Sequence, residues 1–366
     1  MSKNIERHPM LLSPVFKDYL WGGERLINEY NKTTDLRPVA ESWELSCHHD
    51  GLSAVASGVY AGRTLAEVLD ENPDWVVCGE SGVDASPGGI NVTCESGVDA
   101  SPGGNNPVAA SDGIFSSGFP ILIKLIDAKQ DLSIQVHPGD DYARRHENSA
   151  GKNEAWYVVG CEPGTRLILG LKESIQPQML EAALKNGSIP EYVHSIEIKP
   201  GDCYCVPAGL LHAICGGALI AEFQQSSNIT YRVFDYNRIG PDGKPRRLDI
   251  EHASRVIDCA ARAINSADNA VARQFSGYSS TELVEWPYFK LTKLDIHGEA
   301  NLTCGGAFQA LLVIDGAVDI SYAYINQELS QAAPLLSMLK GTCAYVPAGL
   351  GAYTLRGRGQ VLLTTA

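Results

Sequence analysis

Leu132-Ser133-Ile134-Gln135-Val136-His137-Pro138 is the stretch from which both the fold and a candidate site can be predicted. Apolar and polar side chains alternate along it, which predicts a β-strand, because successive strand residues point to opposite faces. Gln135 and His137 therefore point to the same side. An amide and an imidazole held side by side on a rigid strand are half of a metal site. A structural histidine at a strand end fits the same pattern, so this stretch alone leaves both interpretations open.

The composition indicates a folded, β-rich protein with an acidic surface. The chain has 366 residues, 44% of them hydrophobic and 20% charged, which suggests two domains or one large domain with attachments. Its 36 glycines indicate many turns and favour a mainly β fold. The net charge of −14 repels phosphate backbones, so we expect no nucleic-acid partner. A locally basic pocket could still bind a small phosphorylated substrate.

The sequence predicts a cytoplasmic protein with no membrane partner. Residues 1–7 show no apolar run behind a basic start, and no segment approaches about 18 consecutive apolar residues. The ten cysteines include no Cys-x-x-Cys pair, as expected for small buried side chains in a reducing compartment. The alternating segment Cys203-Tyr204-Cys205 leaves a disulfide or zinc role open.

Two further segments supply the other half of the candidate site. Residues 153–159 predict a strand on which Glu154 shares a face with Trp156, and a carboxylate there is costly to bury unless a cation meets it. His212 follows a predicted strand and turn at 203–211. Side chains from different strands of a barrel can converge on one interior point. Two imidazoles, a carboxylate and an amide suit a zinc-type ion and leave about one positive charge to stabilise an anionic intermediate. The candidate ligands are Gln135, His137, Glu154 and His212; four unrelated residues are the alternative.

An internal repeat predicts two domains of one architecture. Val-Pro-Ala-Gly-Leu at 206–210 recurs at 346–350, each time after a predicted strand. With this alignment, Ala352 takes the place of His212, so the second copy keeps the frame and lacks the ligand. We expect a catalytic domain over residues 1–265 and a degenerate domain over residues 266–366.

A second repeat predicts a flexible insertion near residues 79–106. The segment ESGVDASPGG occurs at 80–89 and again at 95–104. It is rich in Gly, Ser, Pro and Asp and cannot bury much apolar surface.

Helices are predicted at three places, and one strand precedes a histidine pair. Thr64 is a suitable N-cap for a short helix through residue 69. A second helix is predicted over 177–185, with Asn186-Gly187 as its stop, and an amphipathic third over 247–262. Residues 41–46 predict a strand, and we expect the histidine pair after it, at 48–49, to lie at the surface.

Taken together, the motifs resemble the type I phosphomannose isomerases, most closely their shorter bacterial branch. The resemblance covers nearly the whole chain, in motifs at Tyr19–Gly23, Glu41–Glu44, Leu132–Pro138, Lys152–Tyr157, Pro207–Ile214 and Tyr231–Tyr236. It implies a mainly β fold of two cupin (jelly-roll) barrels with a few added helices, the second barrel lacking metal ligands.

The resemblance also implies an activity and roles for individual residues. The activity is aldose–ketose isomerisation between D-mannose 6-phosphate and D-fructose 6-phosphate, through zinc-assisted proton transfer and a cis-enediol. One Zn²⁺ per chain would be bound by Gln135, His137, Glu154 and His212. Arg232 matches the catalytic arginine, and Glu222 an acidic position near it. Positions associated with the phosphosugar substrate are Ser133, Lys124, Lys152 and the pocket-lining Trp21.

The chain departs from this pattern in the insertion and at residue 228. Relatives often read Ser-Asp-Asn where this chain reads Ser227-Asn228-Ile229, and an asparagine cannot act as a carboxylate base. The proton carrier stays open between Glu222, a zinc-bound water and a pocket histidine, and the oligomeric state between monomer and homodimer.

Two other function classes are compatible with a cupin. A non-catalytic regulator that binds sugar phosphates would keep the ligands but lose Arg232 or the lysines. A cupin oxygenase would use iron with several histidines, against which the amide ligand Gln135 weighs.

Overall fold

The protein is mainly β, as the sequence predicts. The computed structural model describes residues 7–77, 118–172, 175–240, 243–322 and 335–366. The strands in these ranges are β1 Met10–Ser13, β2 Val15–Lys17, β3 Glu41–Leu45, β4 Cys47–His48, β5 Gly51–Leu52, β6 Ala54–Val55, β7 Ile121–Ala128, β8 Ile134–Val136, β9 Glu154–Cys161, β10 Arg166–Leu171, β11 Val193–Glu197, β12 Cys203–Val206, β13 His212–Ile214, β14 Ala218–Gln225, β15 Tyr231–Phe234, β16 Ile264–Asn265, β17 Ala272–Phe275, β18 Tyr278–Glu285, β19 Lys290–Ile296, β20 Glu299–Cys304, β21 Gln309–Tyr322, β22 Leu335–Leu339, β23 Cys343–Val346 and β24 Gly351–Thr365. The α-helices are α1 Arg25–Asn28, α2 Leu65–Glu71, α3 Asp140–Glu147, α4 Pro177–Asn186 and α5 Ile250–Val256, with short 3₁₀ helices at Gly58–Tyr60, Pro73–Trp75, Ile189–Glu191 and Ser266–Asn269.

Three antiparallel sheets make up most of the described chain. The first has the strand order β16-β12-β9-β14-β7-β3-β2, and the second has the order β11-β10-β13-β8-β15. The third runs β17-β18-β19-β24-β21-β23-β1-β6, with β20 paired to β24 and β22 paired to β21.

The first sheet lies between the other two and buries both of its faces. On one face, Phe223 belongs to a core cluster that also contains Phe308 and Tyr345 of the third sheet. On the other face, Trp156 packs in a cluster with Leu167 of the second sheet. Alternation along each central strand therefore sends every second side chain into the space between the first and second sheets.

Local sequence signals placed two helices correctly. Thr64 caps α2 through a capping box with Glu67, because its hydroxyl accepts from the Glu67 backbone and the Glu67 carboxylate accepts from the Thr64 backbone. Helix α4 begins at Pro177 and ends before Gly187, whose φ of +78° suits glycine.

The predicted helix over 247–262 is wrong in length, because α5 spans only Ile250–Val256. Tertiary hydrogen bonds set both ends. The Asp249 backbone N–H donates to the Arg232 carbonyl at 2.7 Å, and the Asp258 N–H donates to the Gly209 carbonyl at 2.9 Å. Ile257 is already extended, so the apolar periodicity continues beyond the helix.

The repeated pentapeptide adopts the same local structure twice. Strands β12 and β23 each lead into a proline turn, with Gly209 at φ +87° and Gly349 at φ +73°. The strand that follows the turn, β13, begins at His212. In the second copy the corresponding strand, β24, begins at Gly351, next to Ala352.

Three further sequence predictions concern the insertion, membrane-spanning segments and the pair Cys203 and Cys205. The predicted insertion at 79–106 lies outside the described residues. Within the described ranges, no helix is long and apolar enough to span a membrane. Cys203 and Cys205 are free thiols, and burial raises their pKa values to about 12 and about 11.

Candidate metal centre

Three of the predicted ligands meet in one buried cluster between the first and second sheets. His137, Glu154 and His212 are at most 1% exposed, and their ligand atoms lie within 4.8 Å of one another. Glu154 is the first residue of β9 in the first sheet, and His212 is the first residue of β13 in the second. His137 directly follows β8. The cluster therefore depends on the packing of two sheets, which no single motif encodes.

Backbone carbonyls fix the tautomers of both imidazoles. His137 Nδ1 lies 2.7 Å from the Ile229 carbonyl, and His212 Nδ1 lies 2.8 Å from the Leu210 carbonyl. A carbonyl can only accept, so each Nδ1 donates and each neutral ring presents an unprotonated Nε2. Burial, aided by Lys152, lowers the pKa of His137 to about 3, and burial also lowers the pKa of His212. The two Nε2 acceptors face each other at 3.1 Å, an arrangement that a cation beside them would stabilise.

Glu154 adds negative charge to the same point. Burial would raise the pKa of this carboxyl, but Lys152 and His137 outweigh burial and hold the pKa well below its usual value. The Lys152 ammonium binds Glu154 Oε1 and lies 3.1 Å from His137 Nε2. Glu154 Oε2 is buried, has no hydrogen-bond partner, and lies 3.7 Å from His212 Nε2. Lys152 is thus the cation that a buried Glu154 demands, and one carboxylate oxygen is left for a second cation.

Gln135, the fourth predicted ligand, lies beside these three residues. Its side-chain nitrogen lies 3.4 Å from His212 Nε2, and its oxygen lies 3.4 Å from Ser133 Oγ. An amide can be turned over without changing its shape, and the reversed orientation aims the oxygen at the imidazoles. Two imidazole nitrogens, a carboxylate oxygen and an amide oxygen fit a divalent ion of the zinc type.

A second buried network lies beside this cluster on the first sheet. Strand register places Trp43, Lys124, Glu222 and Trp156 in one row across β3, β7, β14 and β9. Lys124 Nζ lies 3.0 Å from Glu222 Oε1 and 3.8 Å from Glu41 Oε2, and Trp156 Nε1 donates to Glu222 Oε2 at 2.9 Å. Burial, with Glu154, raises the pKa of Glu222. Lys124 is only 3% exposed, and its ammonium lies close to both of these carboxylates.

Arg232 faces the cluster from the second sheet. Register aligns it with Gln135, which is itself aligned with His212, so the three side chains share one face. Its Nε is buried without a hydrogen-bond partner, and no carboxylate within 4.0 Å pairs with its guanidinium among the described residues. Burial, with nearby Arg246, lowers the pKa of Arg232.

The remaining predicted site residues lie at the edge of the same region. Trp21 is 4% exposed and packs in the core, with its ring 5.6 Å from that of the more exposed Tyr19. Ser133 is buried next to Gln135.

Glu41 and Trp43 were missed as site residues, although both stand in the strand quoted at 41–46. Trp43 Nε1 donates to Glu41 Oε2 at 2.7 Å, and the Lys124 ammonium lies 5.2 Å from the Trp43 ring. The sequence signal used for Glu154, an acidic residue on a strand face that it shares with a tryptophan, would also have identified Glu41.

The predicted surface position of the histidine pair is correct for only one of its members. His49 is exposed, whereas His48 is half-buried, and the two rings stack at 4.2 Å.

Comparison with known proteins places these features in a family. Residues 279–365 match the family described as "Mannose-6-phosphate isomerase, cupin domain". The probable mannose-6-phosphate isomerase GmuF of Bacillus subtilis (strain 168) is 32% identical over 98% of this chain and 99% of its own. Mannose-6-phosphate isomerase ManA of the same strain is 30% identical over 97% and 98%. The crystal structure of a mannose 6-phosphate isomerase from Bacillus subtilis matches with a TM-score of 0.79 and 30% identity, over 97% of this chain and 99% of that one.

Proposed function

The chain belongs to the mannose-6-phosphate isomerase family, and we propose that it interconverts D-mannose 6-phosphate and D-fructose 6-phosphate at the His137–Glu154–His212 cluster. The predicted family resemblance and the mainly β cupin fold are thereby confirmed. The observation that carries the proposal is the pair of buried Nε2 acceptors, 3.1 Å apart, beside a carboxylate oxygen without a partner.

We propose one Zn²⁺ per chain at this cluster, held by His137 Nε2, His212 Nε2, a Glu154 oxygen and the Gln135 side-chain oxygen. When bound, Zn²⁺ supplies Lewis-acid stabilisation of negative charge on a sugar oxygen. The Nδ1–H···O=C bonds to Leu210 and Ile229 hold the two rings in the tautomer that such binding requires.

The cations around the cluster suit an anionic substrate and an anionic intermediate. In the proposed reaction a proton moves between C2 and C1 through a cis-enediol, and charge develops on oxygen. Arg232 has a buried Nε with no partner, so it supplies a fixed positive charge for that oxygen. We propose that Lys152 and Lys124, although each is buried in an ion pair with a carboxylate, attract the phosphorylated sugar through their charge, and that the Ser133 hydroxyl donates a hydrogen bond to it. Trp21 is the proposed aromatic residue of the substrate pocket, and its ring lies 5.6 Å from that of Tyr19.

Glu222 is the proposed proton carrier. Its raised pKa brings a carboxyl closer to the range in which it can both take and return a proton. The hydrogen bond from Trp156 and the ion pair with Lys124 fix its orientation.

We also propose that the catalytic domain spans residues 1–265 and that residues 266–366 form a degenerate second barrel. The recurrence of the proline turn supports this division, as does Ala352, which offers no ligand where His212 does.

A coupled assay on the zinc-loaded protein tests the proposed function. We expect formation of fructose 6-phosphate from mannose 6-phosphate and much slower reaction of glucose 6-phosphate, its C2 epimer. A zinc-loaded, folded protein that binds mannose 6-phosphate without turnover would instead be the regulatory cupin considered above.

A further inference from the structure

A hydrogen bond joins two loops that are far apart in the sequence. Asn228 Nδ2 donates to Asp50 Oδ2 at 2.8 Å. Asp50 lies in the tight turn between β4 and β5, and Asn228 lies between β14 and β15. The amide at position 228 therefore holds a carboxylate in place.

The chain around Asn228 connects that carboxylate to the candidate metal centre. The next residue, Ile229, provides the carbonyl that accepts from His137 Nδ1, and β15 then carries Arg232. Trp43 joins Asp50 to the buried network on the first sheet. The Lys17 ammonium, which donates to the Asp50 backbone carbonyl, lies 4.5 Å from the Trp43 ring, and the Lys124 ammonium lies 5.2 Å from the same ring.

The Asp50 carboxylate has spare capacity to accept hydrogen bonds. Its oxygens lie 3.6 Å from His48 Nδ1 and 3.3 Å from His49 Nε2, and no lysine or arginine nitrogen lies within 4.0 Å among the described residues. Lys17 instead donates to the backbone carbonyl of Asp50 at 2.7 Å. The carboxylate is 41% exposed. Burial opposes its ionisation, but the bond from Asn228 and the two histidines hold its pKa below the usual value.

We propose that Asp50, held by Asn228, is a substrate-binding residue that accepts a hydrogen bond from a hydroxyl group of the open-chain sugar phosphate. This inference rests on the proposed function, since it names a further contact for that substrate. A fixed carboxylate is a suitable acceptor for a sugar hydroxyl, and a substrate without a matching hydroxyl leaves it unpaired. Asp50 thereby contributes to the choice among sugar phosphates.

Exchange of the two side chains tests the proposal. Asp50→Asn should raise KM and lower kcat/KM for mannose 6-phosphate by about 10- to 100-fold, with zinc content and Tm unchanged. Asn228→Asp should also lower kcat/KM, because two carboxylates then face each other. The double variant Asp50→Asn/Asn228→Asp restores an amide–carboxylate pair but places the carboxylate at position 228. It should recover the part of the loss that comes from repulsion between two carboxylates and keep the loss seen in Asp50→Asn. Asp141→Asn is the control, because Asp141 is an exposed aspartate paired with Arg144.

The inference is overturned if Asp50→Asn keeps kcat/KM within about twofold of the wild type, the range expected for the control. It is also overturned if the loss comes with lower zinc content or lower Tm at unchanged KM, which would make Asp50 structural. A double variant with the kcat/KM of the wild type would also overturn it, because the hydrogen-bonded pair, and not the Asp50 carboxylate, would then be what matters. The wild-type assay separates these results from failure of the proposed function, because a zinc-loaded wild type without turnover refutes that function first.

Discussion

Replacing Lys152 with methionine should destabilise the metal-free protein far more than the zinc-loaded protein. The Lys152 ammonium binds Glu154 Oε1 and lies 3.1 Å from His137 Nε2, and both partners are buried. Without it, the Glu154 carboxylate stays in a buried position with no cation. A divalent ion at the same atoms would supply that missing charge.

The magnitude follows from the burial of the pair. Loss of one partner from a buried ion pair costs about 3–5 kcal/mol in the free energy of unfolding. For 366 residues the unfolding entropy is about 0.8 kcal/mol/K, so Tm should fall by about 4–6 °C without metal. If zinc reduces the cost to about 1 kcal/mol, the remaining 2–4 kcal/mol appears as about 30- to 1,000-fold tighter zinc binding by the variant.

Two measurements check this coupling. Thermal unfolding is recorded for wild type and Lys152→Met, each chelated and each saturated with zinc, and zinc affinity is measured by competition with a chelating dye. Lys185→Met is the matched control, because Lys185 pairs with Glu181 at the surface, with side chains 66% and 58% exposed. That control should change stability by about 0.5 kcal/mol or less, with or without zinc.

Equal destabilisation of the chelated and zinc-saturated forms would refute the reasoning. So would unchanged or weaker zinc binding by Lys152→Met. Either result would mean that Lys152 and the metal do not share Glu154 and His137 as partners.

Three other substitutions give separate tests. Arg232→Ala should keep the zinc content of wild type and lose about 100-fold or more in kcat, since it removes a fixed charge beside the reacting oxygen; near-normal turnover would remove Arg232 from the mechanism. Trp156→Phe removes the donor to Glu222 and should cost about 1–3 kcal/mol in unfolding free energy, measured by denaturant titration, because a buried carboxylate oxygen is left unpaired; an unchanged midpoint would argue against that hydrogen bond. Asp235→Asn should cost about 2–4 kcal/mol near neutral pH, because Asp235 is buried between two arginines. Burial opposes ionisation of Asp235, but hydrogen bonds from Arg246 and Arg238 hold its pKa below the usual value. Its stabilisation is therefore present above the unfolded-state pKa of about 3.9 and is lost as pH falls through the lower folded-state pKa. The gap between wild type and Asp235→Asn should accordingly close in acid, and a gap that widens there would contradict the assignment.

The strand patterns and the local caps could be predicted from the sequence because they depend on near neighbours. Alternation identified the strands that carry Gln135 and Glu154, and Thr64 identified the start of α2. For Glu154 the sequence left two alternatives: the carboxylate faces solvent, or it is buried next to a cation. The cation is Lys152, which lies two residues before Glu154, just outside β9, and binds its carboxylate.

The other contacts depend on tertiary packing and left no local signal. The end of α5 is set by Gly209, 49 positions before the amide that binds it. The pairing of Lys124 with Glu222 depends on which strands become neighbours in the first sheet. The hydrogen bond from Asn228 to Asp50 spans 178 positions and involves a residue in a turn that the sequence marked only as a histidine-rich strand end.

Chelation followed by metal restoration tests the central claim most directly. Turnover of mannose 6-phosphate is measured with the purified protein, after removal of metal, and during titration with zinc. We predict that activity is lost on chelation and returns in proportion to bound zinc, reaching its maximum at one ion per chain, whereas His212→Gln neither binds zinc at that stoichiometry nor recovers. Full activity in a protein shown by elemental analysis to hold no metal would contradict the assignment of His137, Glu154 and His212 as the metal centre.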